Sequence, residues 1–335
     1  MAQKEKLPNG QPISIRKVAE YLLALPHNYT YYPYRSKVKK RYTLSGIKSL
    51  CARVLGSSAK SFVNSVDIST FEMVLSDEFQ MEEGEDEGLM PFEIQGGDYR
   101  LGICNDIHIP FHDLSAIKIA IRHFQQSQVN KILINGDLLD FHGLSRFHKN
   151  PTKIFIHKEI ELARHFFQQL RKLFPSEQII YKYGNHDSRL SNYIYEKAPA
   201  LYGLDALNLS ELLNLRDLGV HTVAPEQIVR AGKLNIIHGH EFPSGPGAVN
   251  VARSIRLRAG DNIAMGHFHR TQTDVATTIG DKTHGSYAVG CLCGMRPKWY
   301  PMAYTTWNHG FATVDVGTDG TYQFNNYKIV GGKVV

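Results

Sequence analysis

From Tyr99 to Val330 the apolar positions fall into two recurring patterns. Short runs with little alternation, 99–104, 130–135 and 178–183, have the length and composition of strands buried on both faces. Between them, at 114–127, about 153–173 and 188–197, apolar residues recur three and four apart, which predicts helices. Strands alternating with helices of this length predict a parallel or mixed sheet covered by helices. After Leu218 the strand-like runs become shorter and denser, at 219–223, 227–238, 261–266, 270–278, 283–290, 310–317 and 321–329, with one helix near 248–257. The second half therefore predicts a second sheet packed on the first.

The first 98 residues follow neither pattern. An amphipathic helix is predicted over 13–25, stopped by Pro26, with further helices over 43–53 and 57–66. Between the first two lies an aromatic, basic stretch with Tyr29, Tyr31, Tyr32 and Tyr34 followed by Arg35, Lys37, Lys39, Lys40 and Arg41. Short helices with a basic face are compatible with a helix-turn-helix module on nucleic acid, and equally with a structural or protein-docking appendage. The net charge of +6 hides a segregation: residues 1–66 carry +10, residues 67–98 carry −11 and the remainder carries +7. The expected organisation is thus a basic helical module over 1–66, an acidic linker over 67–98 and a larger domain over 99–335.

Composition adds little else. With 335 residues and 42% apolar content, one large domain plus a smaller one is expected. No apolar run approaches the roughly 20 residues of a membrane span. The amino terminus reads as no secretion signal, so the expected compartment is the cytoplasm. Cys51, Cys104, Cys291 and Cys293 show no disulfide framework and read as reduced, buried thiols.

The chemistry lies where the strands end. Five runs finish on polar residues of only three kinds: Asp106 and His108, Asp137, Asn185 with His186 and Asp187, His238 with His240, and His267 with His269. Ligands of α/β sheets gather at the carboxyl edge of the strands. Carboxylate, amide and imidazole suit Mn²⁺, Fe²⁺, Zn²⁺ or Co²⁺. No cysteine belongs to the set, which argues against a structural zinc site. Asp106, His108, Asp137, Asn185, His238, His267 and His269 are too many for one ion and suit two bridged by a carboxylate. Such a pair clamps a phosphate and generates a nucleophile from water. His142, His148 and Asp140 follow Asp137 in a loop at the same edge. They are expected in the supporting shell or against substrate. The remaining histidines read as packing or surface residues.

The order Asp-x-His, Gly-Asp, Gly-Asn-His-Asp, His, Gly-His-x-His resembles the calcineurin-like metallophosphoesterases over about residues 99–318. That resemblance implies a four-layer α/β/β/α sandwich of two mixed sheets, preceded here by the small α-helical module. It implies one metal on Asp106, His108 and His269, a second on Asn185, His238 and His267, and Asp137 bridging. Mn²⁺ is the leading expectation, with Fe, Zn, Co and Ni also accommodated. In His238-Gly-His240 either imidazole could ligate; strand alternation and the family pattern favour His238, leaving His240 behind it or facing substrate. His186 resembles the histidine that assists the leaving group. Asp187 is expected to orient it. Arg189 would fork onto a phosphate or pair with an acid of the fold. The blocks lack the Arg-Gly and Gly-Asn-His-Glu of protein Ser/Thr phosphatases. They are closer to bacterial and phage phosphodiesterases and repair-nuclease-like members, a phage protein then acting in the host cytoplasm. The expected activity is phosphodiester hydrolysis, nucleotide or nucleic acid, with a phosphomonoesterase or a non-catalytic DNA-binding scaffold as alternatives.

Overall fold

The computed structural model describes residues 30–31, 42–43, 88–145, 155–242, 249–296 and 305–335. The chain divides into two compact units, Met1–Asp86 and Glu87–Val335. In the first, strands β1 (Thr30–Tyr31) and β2 (Tyr42–Thr43) pair antiparallel across the aromatic, basic stretch. The three helices expected there lie outside the described residues, apart from Thr43, which belongs to β2.

The second unit contains two sheets. The larger is built on β4 (Tyr99–Cys104), β5 (Lys131–Asn135), β6 (Gln178–Lys182) and β7 (Val220–Val223), all parallel. It continues on the other side of β4 through β13 (His309–Val316), β14 (Tyr322–Val330) and β15 (Lys333–Val334), each antiparallel to its neighbour. The smaller sheet runs β11 (Gln272–Thr277), β12 (Thr283–Ala288), β10 (Ile263–Met265), β9 (Leu234–Ile236), β8 (Val229–Ala231) and β3 (Phe92–Glu93). Phe92–Glu93, placed by sequence in the acidic linker, pairs with Val229–Arg230 as an edge strand.

Burial explains why the strand patterns are continuous rather than alternating. In β5, Ile132 and Ile134 face the helical layer while Leu133 enters the core between the sheets. In β6, Ile179 and Tyr181 face the helices and Ile180 faces the other sheet. Helices α1 (Leu114–Gln126) and α2 (Ile156–Leu173) cover the larger sheet. Asp113 caps α1 by accepting from the Ala116 N–H at 2.9 Å. Phe124 of α1 is fully buried, worth about 1.5–3 kcal/mol. It seats over Gly102 of β4, where a Cβ would come within 2.8 Å of the ring. On the far side α5 (Val251–Ala259), which follows α3 (Arg189–Lys197) and the short α4 (Leu209–Leu212), packs Val251, Ala252 and Ile255 against Ile263, Met265 and Ala288. The four layers are therefore helix, sheet, sheet, helix.

The single strand expected over 227–238 is instead the hairpin of β8 and β9. Gly232, at φ +57°, turns the chain, and a Cβ there would strike the Gly320 carbonyl at 2.5 Å. The turn has no Asn-Gly or Pro to announce it. Among the described residues no helix is long and apolar enough to cross a membrane.

Candidate metal centre

The parallel strands β4, β5 and β6 of one sheet and β9 and β10 of the other bring their carboxyl ends together. The loops leaving them carry unusual backbone: Asp106, His108, Asp137, His267 and His269 all have φ between 51° and 63°. Non-glycine residues rarely adopt this region, and five instances in one cluster mark local cost held by the surrounding fold. Backbone bonds fix it: Asp106 N–H donates to Gly136 O at 3.1 Å and His108 N–H to Asp137 O at 2.9 Å. Gly136 and Gly184 permit the close approach, since Cβ atoms there would lie 2.2 Å from His238 Nδ1 and Asp137 Oδ1 respectively.

The side chains converge. Asp106 Oδ1 is 3.2 Å from His269 Nε2, 3.9 Å from His108 Nε2 and 4.0 Å from His238 Nε2. Asp137 Oδ2 is 3.2 Å from His238 Nε2, 3.8 Å from His108 Nε2 and 3.9 Å from His186 Nε2. His108 Nε2 and His269 Nε2 are 3.2 Å apart. His267 joins Asp137 and His238 in a second group with mutually close donor atoms. Asn185 leaves the end of β6 with its Oδ1 buried and unbonded. Asp106 Oδ1 and His238 Nε2 are likewise buried and meet only the carboxylates and imidazoles of the cluster. A buried amide oxygen with no donor is costly, and carboxylates and imidazoles gathered with their ligand atoms toward one another fit a cation.

The electrostatics agree. Burial alone would raise Asp106, but His269 and His238 hold its carboxyl down at about 2. Asp137 is likewise held well below the usual range, against burial, by His238 and His186. Burial would lower His238 and His269, yet Asp137 and Asp106 respectively push them up to about 10. His267, desolvated and beside His238, falls to about 4. The field in this cluster favours positive charge at the positions flanked by the two aspartates.

A supporting shell orients the donors. Asp140 Oδ1 lies 3.1 Å from both His108 Nδ1 and His186 Nδ1. His238 Nδ1–H donates to Asn135 O at 2.8 Å, which turns Nε2 toward Asp137. Asn105 Nδ2 donates to Asp106 Oδ2 at 2.7 Å, and His267 N–H reaches the same oxygen at 2.8 Å.

Asp187 does not orient His186. Its carboxylate accepts from Leu139 N–H at 3.0 Å and Gly184 N–H at 2.8 Å, tying the β5 and β6 loops together. Burial and the charge of Asp137 raise it to about 6. Asp140 holds His186 instead, because a residue adjacent in sequence cannot fold back onto the imidazole while bracing two amides. Arg189 pairs with an acid of the fold, Asp140, whose Oδ2 lies 3.9 Å from Nη1; it also donates to Asp140 O at 2.7 Å and meets His186 Nε2 at 3.0 Å. Arginine has no acceptor, so His186 Nε2 accepts there and Nδ1–H donates to Asp140. His142 is buried with Nδ1 3.9 Å from Asp140 Oδ2. His148 lies outside the described residues. His240 sits to one side, 3.4 Å from Glu241, whereas His238 is fully buried in the cluster.

Sequence reading missed the brace behind His238. Glu241 accepts from His238 N–H at 2.9 Å and Gly239 N–H at 2.6 Å, and pairs with the fully buried Lys182 at 3.0 Å. A lysine inside the apolar run of β6 was the available signal.

A four-layer sandwich carrying carboxylates, an amide and imidazoles at its strand ends defines a metallophosphoesterase class of fold. The family model described as calcineurin-like phosphoesterase matches residues 99–290, and the chain belongs to that family. It is 28% identical to the Gene 54 protein of Mycobacterium phage L5 and 30% identical to that of Mycobacterium phage D29, in each case over 70% of this chain and 95% of the relative. Among solved structures it is similar to Vacuolar Protein Sorting 29 from Cryptosporidium parvum, with TM-score 0.38 and 15% identity over 72% of this chain and 96% of that one.

Proposed function

We propose that the chain is a two-metal hydrolase of phosphate esters, acting on phosphodiesters. The observation that carries this reading is the pair of donor groups, Asp106 with His108 and His269, and Asp137 with His238 and His267, each with ligand atoms close enough together to hold a cation. In this reading Asp106, His108 and His269 hold one divalent cation, Asn185, His238 and His267 hold the other, and Asp137 bridges. When bound, the ions would neutralise phosphate charge and supply a nucleophile from water near neutral pH.

The chain's own residues do the rest. Asp140 fixes the His186 tautomer and ring. As substrate arrives Arg189 turns from His186 Nε2 to a phosphate oxygen, and that nitrogen, protonated from solvent, gives its proton to the leaving oxygen. The amide of Asn185 adds an oxygen without adding negative charge, which keeps the site attractive to an anion. His142 and His240 would lie on the side of the ester. The basic residues of 1–66 favour a nucleotide or nucleic-acid substrate, since Lys and Arg neutralise backbone phosphates. Mn²⁺ is the expected ion; the donor types also accept Fe, Zn, Co or Ni.

A non-catalytic scaffold has no need of donors held in left-handed backbone. The test is turnover of bis-p-nitrophenyl phosphate against p-nitrophenyl phosphate with Mn²⁺. A preference for the diester supports the reading. A large preference for the monoester removes the diesterase assignment, and no turnover of either favours the scaffold.

A further inference from the structure

Behind the cluster lies a second group of donors, of which the hydrolase reading uses only one nitrogen of His269. Cys291, Cys293 and His269 present Sγ, Sγ and Nδ1 within 4.8 Å of one another. All three residues are buried. His269 thus has two faces. Nε2 points at Asp106, and Nδ1 meets Cys293 Sγ at 3.9 Å. A ligating imidazole ordinarily donates its other N–H to a carbonyl or carboxylate. Here sulfur occupies that place.

The arrangement is held from several sides. Leu292, between the cysteines, donates its N–H to Asp106 O at 3.1 Å, so the pair is fastened to the first ligand loop. Asn308 N–H donates to His269 O at 2.9 Å, and Cys291 Sγ points at Asn308 O at 3.7 Å. His309 Nε2 donates to Cys293 O at 2.8 Å. Two thiols as fillers would need no imidazole nitrogen turned toward them. Two thiolates and one imidazole around a divalent ion leave no net charge to bury, which an apolar enclosure requires.

We propose that Cys291, Cys293 and His269 Nδ1 form a third cation site, selective for a soft divalent ion such as Zn²⁺ or Cd²⁺. Thiolates select these ions, while oxygen-rich clusters suit Mn²⁺, so neighbouring sites sort metals by softness. Loading expels the two thiol protons and leaves the ring proton of His269 on Nε2, facing Asp106. The Asn308 carbonyl is the nearest further oxygen donor. A consequence, resting on the proposed hydrolase reading, is that a soft ion here competes for the imidazole that seats the first catalytic ion and lowers turnover.

The test uses the full chain loaded with Mn²⁺ and titrated with Cd²⁺. A near-ultraviolet thiolate-to-metal charge-transfer band that saturates at one equivalent is expected, with two sulfur neighbours in the X-ray absorption spectrum. The C291S/C293S double variant should lose the band and the C104S variant should keep it. Absence of the band, an absorption spectrum without sulfur, or a band undiminished in the double variant would overturn the proposal. The spectra are read without substrate, so an enzyme inert toward every ester leaves this test intact.

Discussion

The two halves of the candidate centre share donor types and differ in what stands behind them. On the side of Asn185, His238 and His267, the His238 imidazole is set by a backbone carbonyl, and its loop hangs from a buried Lys182–Glu241 pair. On the side of Asp106, His108 and His269, the braces are the Asp140 carboxylate and a thiol. The first brace is backbone and a closed ion pair, indifferent to redox state. The second is shared with His186, the candidate proton carrier, and with sulfur chemistry. Perturbations on the Asp106 side should therefore reach turnover through several routes, whereas those on the His238 side should act through cation affinity and stability.

Asp137 touches both halves, so Asp137→Asn is the most damaging change. Turnover of bis-p-nitrophenyl phosphate should fall by about a thousandfold or more, ~4 kcal/mol in the barrier. Bound Mn²⁺ should drop below two per chain by atomic absorption. His186→Ala should lower kcat by about 100- to 1,000-fold while leaving two ions bound. Loss of an ion would show that His186 ligates. Asp140→Asn acts one step further out, on His108 and His186 together, and should cost about 10- to 100-fold. An effect confined to KM would break the assigned supporting role.

Glu241→Gln tests the other half. It leaves Lys182 and the amides of His238 and Gly239 with a weaker partner, so unfolding free energy should fall by about 2 kcal/mol in urea melts. Affinity for one of two Mn²⁺ ions should weaken while the other is retained. Equal weakening of both would erase the distinction between the halves.

An effect on stability alone, with turnover left in place, concerns Glu159 of α2, which accepts from the left-handed Phe141 N–H at 2.7 Å just after Asp140. Burial, opposed by that bond and reinforced by Asp140, raises its carboxyl from 4.5 to about 8. The folded state thus holds a proton that the unfolded state releases between those values. The stability this confers is complete below pH 4.5 and drains away as pH rises toward 8. Glu159→Gln should flatten the fall in Tm between pH 5 and pH 8.5, and parallel curves for the two proteins would refute the assignment.

Much of this was legible in the chain because buried strands write themselves as unbroken apolar runs, as in β4, β5 and β6. The strand ends were legible because five separate runs all finish on Asp, Asn or His, a recurrence that turn chemistry alone does not require. What escaped depended on contacts between distant residues. Asp140, not Asp187, holds His186, since orientation is decided by which loop comes alongside rather than by adjacency. The Gly232 turn and the Lys182–Glu241 pair escaped for the same reason, as did the meeting of Cys293 with His269 Nδ1.

The most direct measurement is anomalous diffraction at the manganese edge from crystals of the Mn²⁺-loaded protein. The account predicts two peaks roughly 4 Å apart with an Asp137 oxygen between them, one flanked by Asp106, His108 and His269 and the other by Asn185, His238 and His267. A single peak, no peak, or Asp137 beyond coordinating distance of either ion would contradict it.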